Sequence, residues 1–187
     1  DKSLQLGFLD EMDAIISQLS NLQKRVLLSA TSDVDIPAFT RMDSPAILDF
    51  TQEEKNEALS VKLVLSPEKD KIETLFQLIC SFDSEPALIF CIRREVSERI
   101  SGLLNEKGIE AGYYHGGRDQ DDRERILIRF RSGSLNYLVT TDLAARGLDI
   151  PEMKHVVHYH LPGKGSEFVH RNGRTARMYA SGTAYII

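Results

Sequence analysis

Within the segment His170-Arg171-Asn172-Gly173-Arg174-Thr175-Ala176-Arg177, three arginines and a histidine crowd into eight residues. Read as a helix, positions 170, 174 and 177 share a face, because i, i+4 and i+7 return to nearly the same azimuth. Adjacent guanidiniums repel and lose side-chain freedom, so stability alone gives little reason to build such a face. A polyphosphate would supply the missing counter-charge, and the planar fork of Arg suits that contact best. The competing reading is structural, with the arginines paired to surface acids such as Glu167.

Two further segments have the makings of a phosphate or sugar site. Val139 to Asp149 leaves an apolar run and enters a tight turn. Ala144, Ala145 and Gly147 are small enough to let a ligand approach the backbone. Thr141 offers a hydroxyl and an amide to a phosphate oxygen, and Asp149 can accept from a ribose hydroxyl. The plain alternative is a helix start capped by Asp142. His115-Gly116-Gly117-Arg118 followed by Gln120 and Arg123 repeats the arrangement one strand earlier. Helix N-termini attract anions and flanking arginines add to the pull. Here the acids Asp119, Asp121 and Asp122 also fit a well-capped helix. Strand alternation does not gather His155, His158 and His160 usefully, so no metal is expected.

Such residues must be positioned by a scaffold, and the pattern of apolar residues supplies one. Hydrophobic residues make up 42% and charged ones 27% of the 187 residues, as in ordinary globular proteins. No run is long enough to span a membrane. From residue 56 onward, apolar runs near 60–65, 87–91, 110–114, 136–140, 155–159 and 182–187 read as strands. They alternate with amphipathic helices near 68–82, 94–106, 119–131 and 166–176. That alternation predicts an α/β fold whose parallel sheet is covered on both faces. Ligands of such sheets bind beyond the carboxyl ends of the strands, which puts the turns after 114 and 140 on the working edge. Upstream, the spacing predicts a helix over 9–20 and short buried strands at Val26-Leu27-Leu28 and Ala46-Ile47-Leu48. Polar, acidic Thr51 to Glu57 reads as the linker.

The net charge of −5 hides an asymmetry. Residues 1–90 carry 8 Lys+Arg against 16 Asp+Glu, a balance of −8, whereas 91–187 carry 15 against 12, a balance of +3, with 12 arginines among the cations. An arginine-biased half can hold a phosphate backbone locally despite the acidic total. Cys80 and Cys91 sit in apolar runs and read as small buried hydrophobes in a reducing compartment. With Asp1 in place of an initiator Met and an apolar run at 184–187, the chain reads as a piece of something longer.

Taken in order, these segments resemble the later motifs of DEAD-box RNA helicases. Ser29-Ala30-Thr31 is similar to the Ser-Ala-Thr motif that closes the first domain of that family. Thr141 to Asp149 resembles its Ala-Arg-Gly-x-Asp motif, and His170 to Arg177 its His-Arg-x-Gly-Arg-x-x-Arg motif. Gln120-x-x-Arg123 matches a further short one, and Asp1 with Leu6-Gly7-Phe8 resembles the end of the Asp-Glu-Ala-Asp box. The resemblance implies a RecA-like fold. Residues 1–52 would be the tail of a first lobe, and 56–187 a second lobe truncated at its carboxyl end. It also implies ATP and Mg²⁺ held mainly by the missing first lobe, an RNA partner and a cytoplasmic protein with no membrane association.

Roles follow from the same resemblance. Arg174 and Arg177 would be arginine fingers, and Gly147 and Asp149 would line the nucleotide. Gly116, Arg123 and Thr141 would hold the RNA backbone. Ser29, Thr31, Arg146 and His170 would couple hydrolysis to closure of the lobes. The whole protein would be an RNA-dependent ATPase that opens or remodels RNA, with this piece inactive alone. A DNA-acting helicase of the same superfamily and a non-catalytic RNA-binding or interaction module are the rivals. Departures from the family pattern are Asn172 where Ile is common, Ala176 where Gly is common, Ile92 where Thr would lie, and Gly117 and His160 where Asp is usual.

Overall fold

The computed structural model describes residues 8–28, 36, 38–49, 59–145, 150, 153–175 and 181–187. It forms two compact units, Asp1–Lys55 and Asn56–Ile187.

In the second unit, six strands are seen among the described residues. They are β1 (Leu59–Leu63), β2 (Ala87–Cys91), β3 (Ala111–Tyr114), β4 (Tyr137–Thr141), β5 (His155–His158) and β6 (Gly182–Ile186). They form one sheet in the order β1-β6-β5-β2-β4-β3, and every pairing is parallel. Parallel strands need crossovers, and buried on both sides they read as continuous apolar runs, as Ala87-Leu88-Ile89-Phe90-Cys91 does.

Strand alternation divides the core in two. Ala87, Ile89 and Cys91 face one layer, with Leu75 and Ile79 from α2 (Ile72–Cys80) and Ile100 and Leu104 from α3 (Arg94–Glu106). Leu88 and Phe90 face the other, with Leu127 and Phe130 from α4 (Gln120–Arg131) and Ala145 from the short α5 (Asp142–Ala145). This is the RecA-like α/β sandwich, with every carboxyl strand end on the same edge.

The first unit departs from the expected pattern. Its helix α1 (Leu9–Gln18) forms, and Arg41 donates to Ser17 Oγ at 2.8 Å just after the tight turn Ala38–Thr40. Val26-Leu27-Leu28 and Ala46-Ile47-Leu48 are neither strands nor buried; Leu28 is 87% and Leu48 80% exposed. An apolar triplet becomes a strand only where another backbone pairs with it, and no described residue of this unit does so.

The second unit corrects two finer expectations. Helix α6 spans Gly165–Asn172, with Gly173 at its cap, so it stops before Arg174. Positions 170 and 174 therefore do not share a helical face, and 177 lies outside the described residues. The chain instead turns, and Thr175 bridges to Met153. Cys80 is exposed and only Cys91 is buried, because the core side of α2 is taken by Leu75 and Ile79. Burial pushes the Cys91 thiol up to about 12, so it stays protonated and unreactive.

Candidate RNA and nucleotide interface

The carboxyl edge is organised around a side chain that the sequence reading did not single out. Arg171, 1% exposed, enters from α6 and lies over the Phe90 ring of β2, 4.9 Å from its centroid. Its Nε and Nη2 donate to the two carboxylate oxygens of Asp142 at 2.6 and 2.7 Å, a bidentate fork. Its Nη1 donates to the His160 carbonyl oxygen at 2.6 Å. One guanidinium thus ties α6 to the ends of β4 and β5 across β2. Asp142, readable as a helix cap, is committed to this pair.

His158 completes the cluster. Its Nε2 lies 2.9 Å from Asn172 Oδ1, and its Nδ1 lies 3.3 Å from Arg171 Nη1. A guanidinium can only donate, so Nδ1 accepts and the proton sits on Nε2, where it meets the amide oxygen. Burial first, and then the Arg171 charge, hold the His158 pKa below its ordinary value and keep the ring neutral. Phe168 stacks on it at 4.7 Å. Asn172, a departure from the family pattern, therefore has a specific hydrogen-bonding partner.

Just beyond α6, Arg174 Nη2 donates to the Ala145 carbonyl at 2.9 Å, and the Arg174 carbonyl accepts from Met153 N–H at 3.1 Å. The guanidinium is thereby placed at the carboxyl end of α5. His170 stands on α6 one residue before Arg171 and is half-buried. Arg177, Gly147, Asp149, Arg146, Ser29 and Thr31 lie outside the described residues.

The residues expected to hold a phosphate backbone come together on the neighbouring strands. Tyr114 pairs with Thr140, so Gly116 and Thr141 leave adjacent strands at the same edge. Thr140 Oγ1–H donates to the Tyr114 carbonyl at 3.0 Å and locks the two strand ends together. A Cβ added at Gly116 would meet nothing within 4 Å, so its backbone faces open space. Gln120 and Arg123 share the first turn of α4, where Arg123 Nη2 donates to Gln120 Oε1 at 2.5 Å. Asp119 stands at the helix cap position without a side-chain cap bond, and Asp122 pairs with Arg118 at 3.2 Å.

The glycine loop rests on His115, a second residue that sequence reasoning passed over. Its buried ring accepts from Gly117 N–H at Nδ1, 3.1 Å away, and its Nε2 meets Glu98 Oε1 at 2.8 Å. Tyr113 stacks on it at 5.4 Å and carries the Arg118 guanidinium 4.4 Å from its own ring centroid. The three histidines after Met153 part company: His155 pairs with Glu85 and stacks on Phe82, His158 is in the Arg171 cluster, and His160 follows β5.

The edge thus offers one built-in arginine clasp, one arginine at a turn, and a glycine loop open to solvent beside a hydroxyl. Comparison with known proteins fits that chemistry. Residues 70–179, more than half of the chain, match the model of the helicase conserved C-terminal domain. The chain belongs to that family. It is a helicase C-terminal domain of the DEAD-box type. DEAD-box ATP-dependent RNA helicase 35 of Arabidopsis thaliana is 33% identical over 189 residues, which is 98% of this chain and 32% of that protein. ATP-dependent RNA helicase DbpA of Bacillus subtilis (strain 168) is 31% identical over 192 residues, 98% of this chain and 39% of that one. Among solved structures, S. cerevisiae Dbp5 bound to RNA and ADP BeF3 superposes with a TM-score of 0.78 at 27% identity, covering 96% of this chain and 49% of that one. The domain spans about a third of the length of the curated relatives it matches.

Proposed function

We propose that this domain is the second lobe of an ATP-dependent RNA helicase, closing over ATP held mainly by a first lobe while gripping an RNA backbone on its sheet edge. The observation that carries this reading is the Arg171 clasp, because it joins the two halves of the task. Asp142 directly follows Thr141, and Arg171 precedes Arg174 by one turn. A strand-end displacement on the RNA side is therefore transmitted through a buried ion pair to the segment bearing the arginine.

Each side chain has a task. Arg174 and Arg177 are the fingers that meet developing phosphate charge when the lobes close, a contribution of roughly 10³–10⁵ in rate. Gly147 and Asp149 line the sugar and phosphates, and Arg146, His170, Ser29 and Thr31 couple closure to hydrolysis. Gly116, Arg123 and Thr141 hold phosphate oxygens. Contacts of that kind carry little sequence information, and RNA is distinguished from DNA by its 2′-hydroxyls and strand geometry. Arg174 suits phosphate oxygens and fits ATP. Mg²⁺, like most of the ATP site, is assigned to the other lobe by the same reading. ATP supplies the phosphoryl bond whose cleavage resets the closed state. The names of the relatives favour RNA over DNA, and a cytoplasmic setting is part of the proposal.

The test is ATP turnover by the longer protein with RNA, with DNA and with neither. Arg174→Ala and Arg177→Ala should each lower RNA-stimulated turnover by ~10³ or more with RNA binding retained. Near-wild-type turnover in both variants overturns the finger assignment. Equal stimulation by DNA points to the DNA-acting rival, and RNA binding without any turnover to a non-catalytic module.

A further inference from the structure

Away from the clasp, a hollow of about 300 Å³ opens between the start of α2, helix α3 and the residues following β5, lined by Lys69, Asp70, Lys71, Arg99, Tyr159 and His160, with Val96. Its charge is lopsided. Asp70 is occupied: its carboxylate accepts from Arg99, from Tyr159 O–H and from Ile72 N–H, and the Arg99 bond holds its pKa below the ordinary carboxylate value. That leaves Lys69 as the charge of the lining that pairs with no acid among the described residues. Lys71 is fixed in place, its ammonium donating to the carbonyls of Tyr159 and Ile187. His160 Nδ1 is buried and has no hydrogen-bond partner.

The hollow is not isolated. Arg93 stands at the α3 start, and burial first, then the charges of Lys71, Arg171 and Arg93, hold the His160 pKa below its ordinary value. Arg94 follows, and its Nη1 would lie 3.4 Å from a Cβ at Gly117 in the open glycine loop. Cations therefore run along the sheet edge from Arg123 through Arg94 and Arg93 to Lys71. Gly117 and His160 lie on this run, and neither carries a negative charge.

We propose that the hollow takes a backbone phosphate of single-stranded RNA, prolonging the strand path beyond the glycine loop across the ends of β2 and β5. The inference rests on the RNA reading above. Lys69 faces the phosphate oxygens, beside the held ammonium of Lys71 and the His160 ring. A longer strand gains a contact that a short one cannot reach.

The experiment measures binding of oligouridylates of about six and about twelve nucleotides to the 187-residue chain at two salt concentrations, for wild type, His160→Asp and Lys69→Glu. The wild type should prefer the longer strand, with the steeper salt dependence. Both variants should lose roughly 5–10-fold on the longer strand, with its salt slope falling by about 0.7, and keep wild-type affinity for the short one. Lys69 is exposed, so its variant carries little folding risk. Equal affinities of wild type and variants for the longer strand overturn the proposal, as does equal weakening at both lengths. Failure of the wild type to bind either strand instead overturns the RNA reading itself. Tripolyphosphate bound through His160 with no effect of strand length assigns the hollow to free polyphosphate and also overturns the RNA path.

Discussion

Arg171 and Arg123 stand on the same edge of one sheet, the first across β2 and β5, the second beyond β3. Arg171 is sealed from water, and all three of its nitrogens have partners within the protein. Arg123 is half-buried on the first turn of α4, and among the described residues its guanidinium bonds to Gln120, with its buried Nε unpartnered. A buried guanidinium is tolerable only with fixed acceptors around it, and such a group cannot also serve a ligand. One side of the edge thus holds its shape through committed charge, whereas the other presents a glycine backbone to open space, as the proposed RNA grip requires. A cluster of arginines in a sequence therefore mixes two occupations, and burial tells them apart.

The contrast can be broken most forcefully at the clasp. Asp142→Ala leaves a buried, unpaired guanidinium and should cost about 3–5 kcal/mol in urea unfolding. Arg123→Ala should move stability by no more than about 0.5 kcal/mol while weakening RNA binding. If the two variants unfold alike, the division of labour is wrong. Thr140→Val, which strands the Tyr114 carbonyl, should sit between them at about 1–3 kcal/mol.

His158 gives a pH-dependent version. Its folded pKa lies below its ordinary value, so the unfolded chain takes up the proton first as pH falls. Its contribution is whole above pH about 6.5 and is lost as pH falls from there through the lower folded value. Thermal melts between neutral pH and the carboxylate range should show Tm falling, and His158→Gln should flatten that part of the profile. An unchanged slope would mean that His158 does not contribute. The smallest structural effect belongs to Gly116→Ala, where the added methyl meets open space. Stability should hardly change, yet RNA affinity should fall because the backbone is no longer bare.

Much of the scaffold was legible because parallel strands advertise themselves. Ala87–Cys91 is apolar throughout, as burial on both faces requires, and β2 falls at its expected residues. The loops proposed to meet phosphate could be placed at strand ends from sequence because Tyr114 and Thr141 close the apolar runs that become β3 and β4. Val26–Leu28 misled because apolar content does not show whether a pairing strand is present. The clasp was hidden because Asp142 and Arg171 become neighbours only through the strand order, and neither residue announces the other. The short α6 was partly visible in Gly173, a common helix stop that the periodic spacing outweighed.

Strand β1 lies beside β6, with Leu59 opposite Gly182 and the other four strands formed by the chain between them. Loop closure over such a span is entropically costly and offers no reward until the late partner arrives. Synthesis must therefore reach β6 before β1 can find its place, leaving Val61, Leu63 and their backbone groups waiting as a sticky, unpaired ribbon. Folding of this lobe should be slow for its size and open to association through the unpaired backbone of that ribbon until β6 arrives.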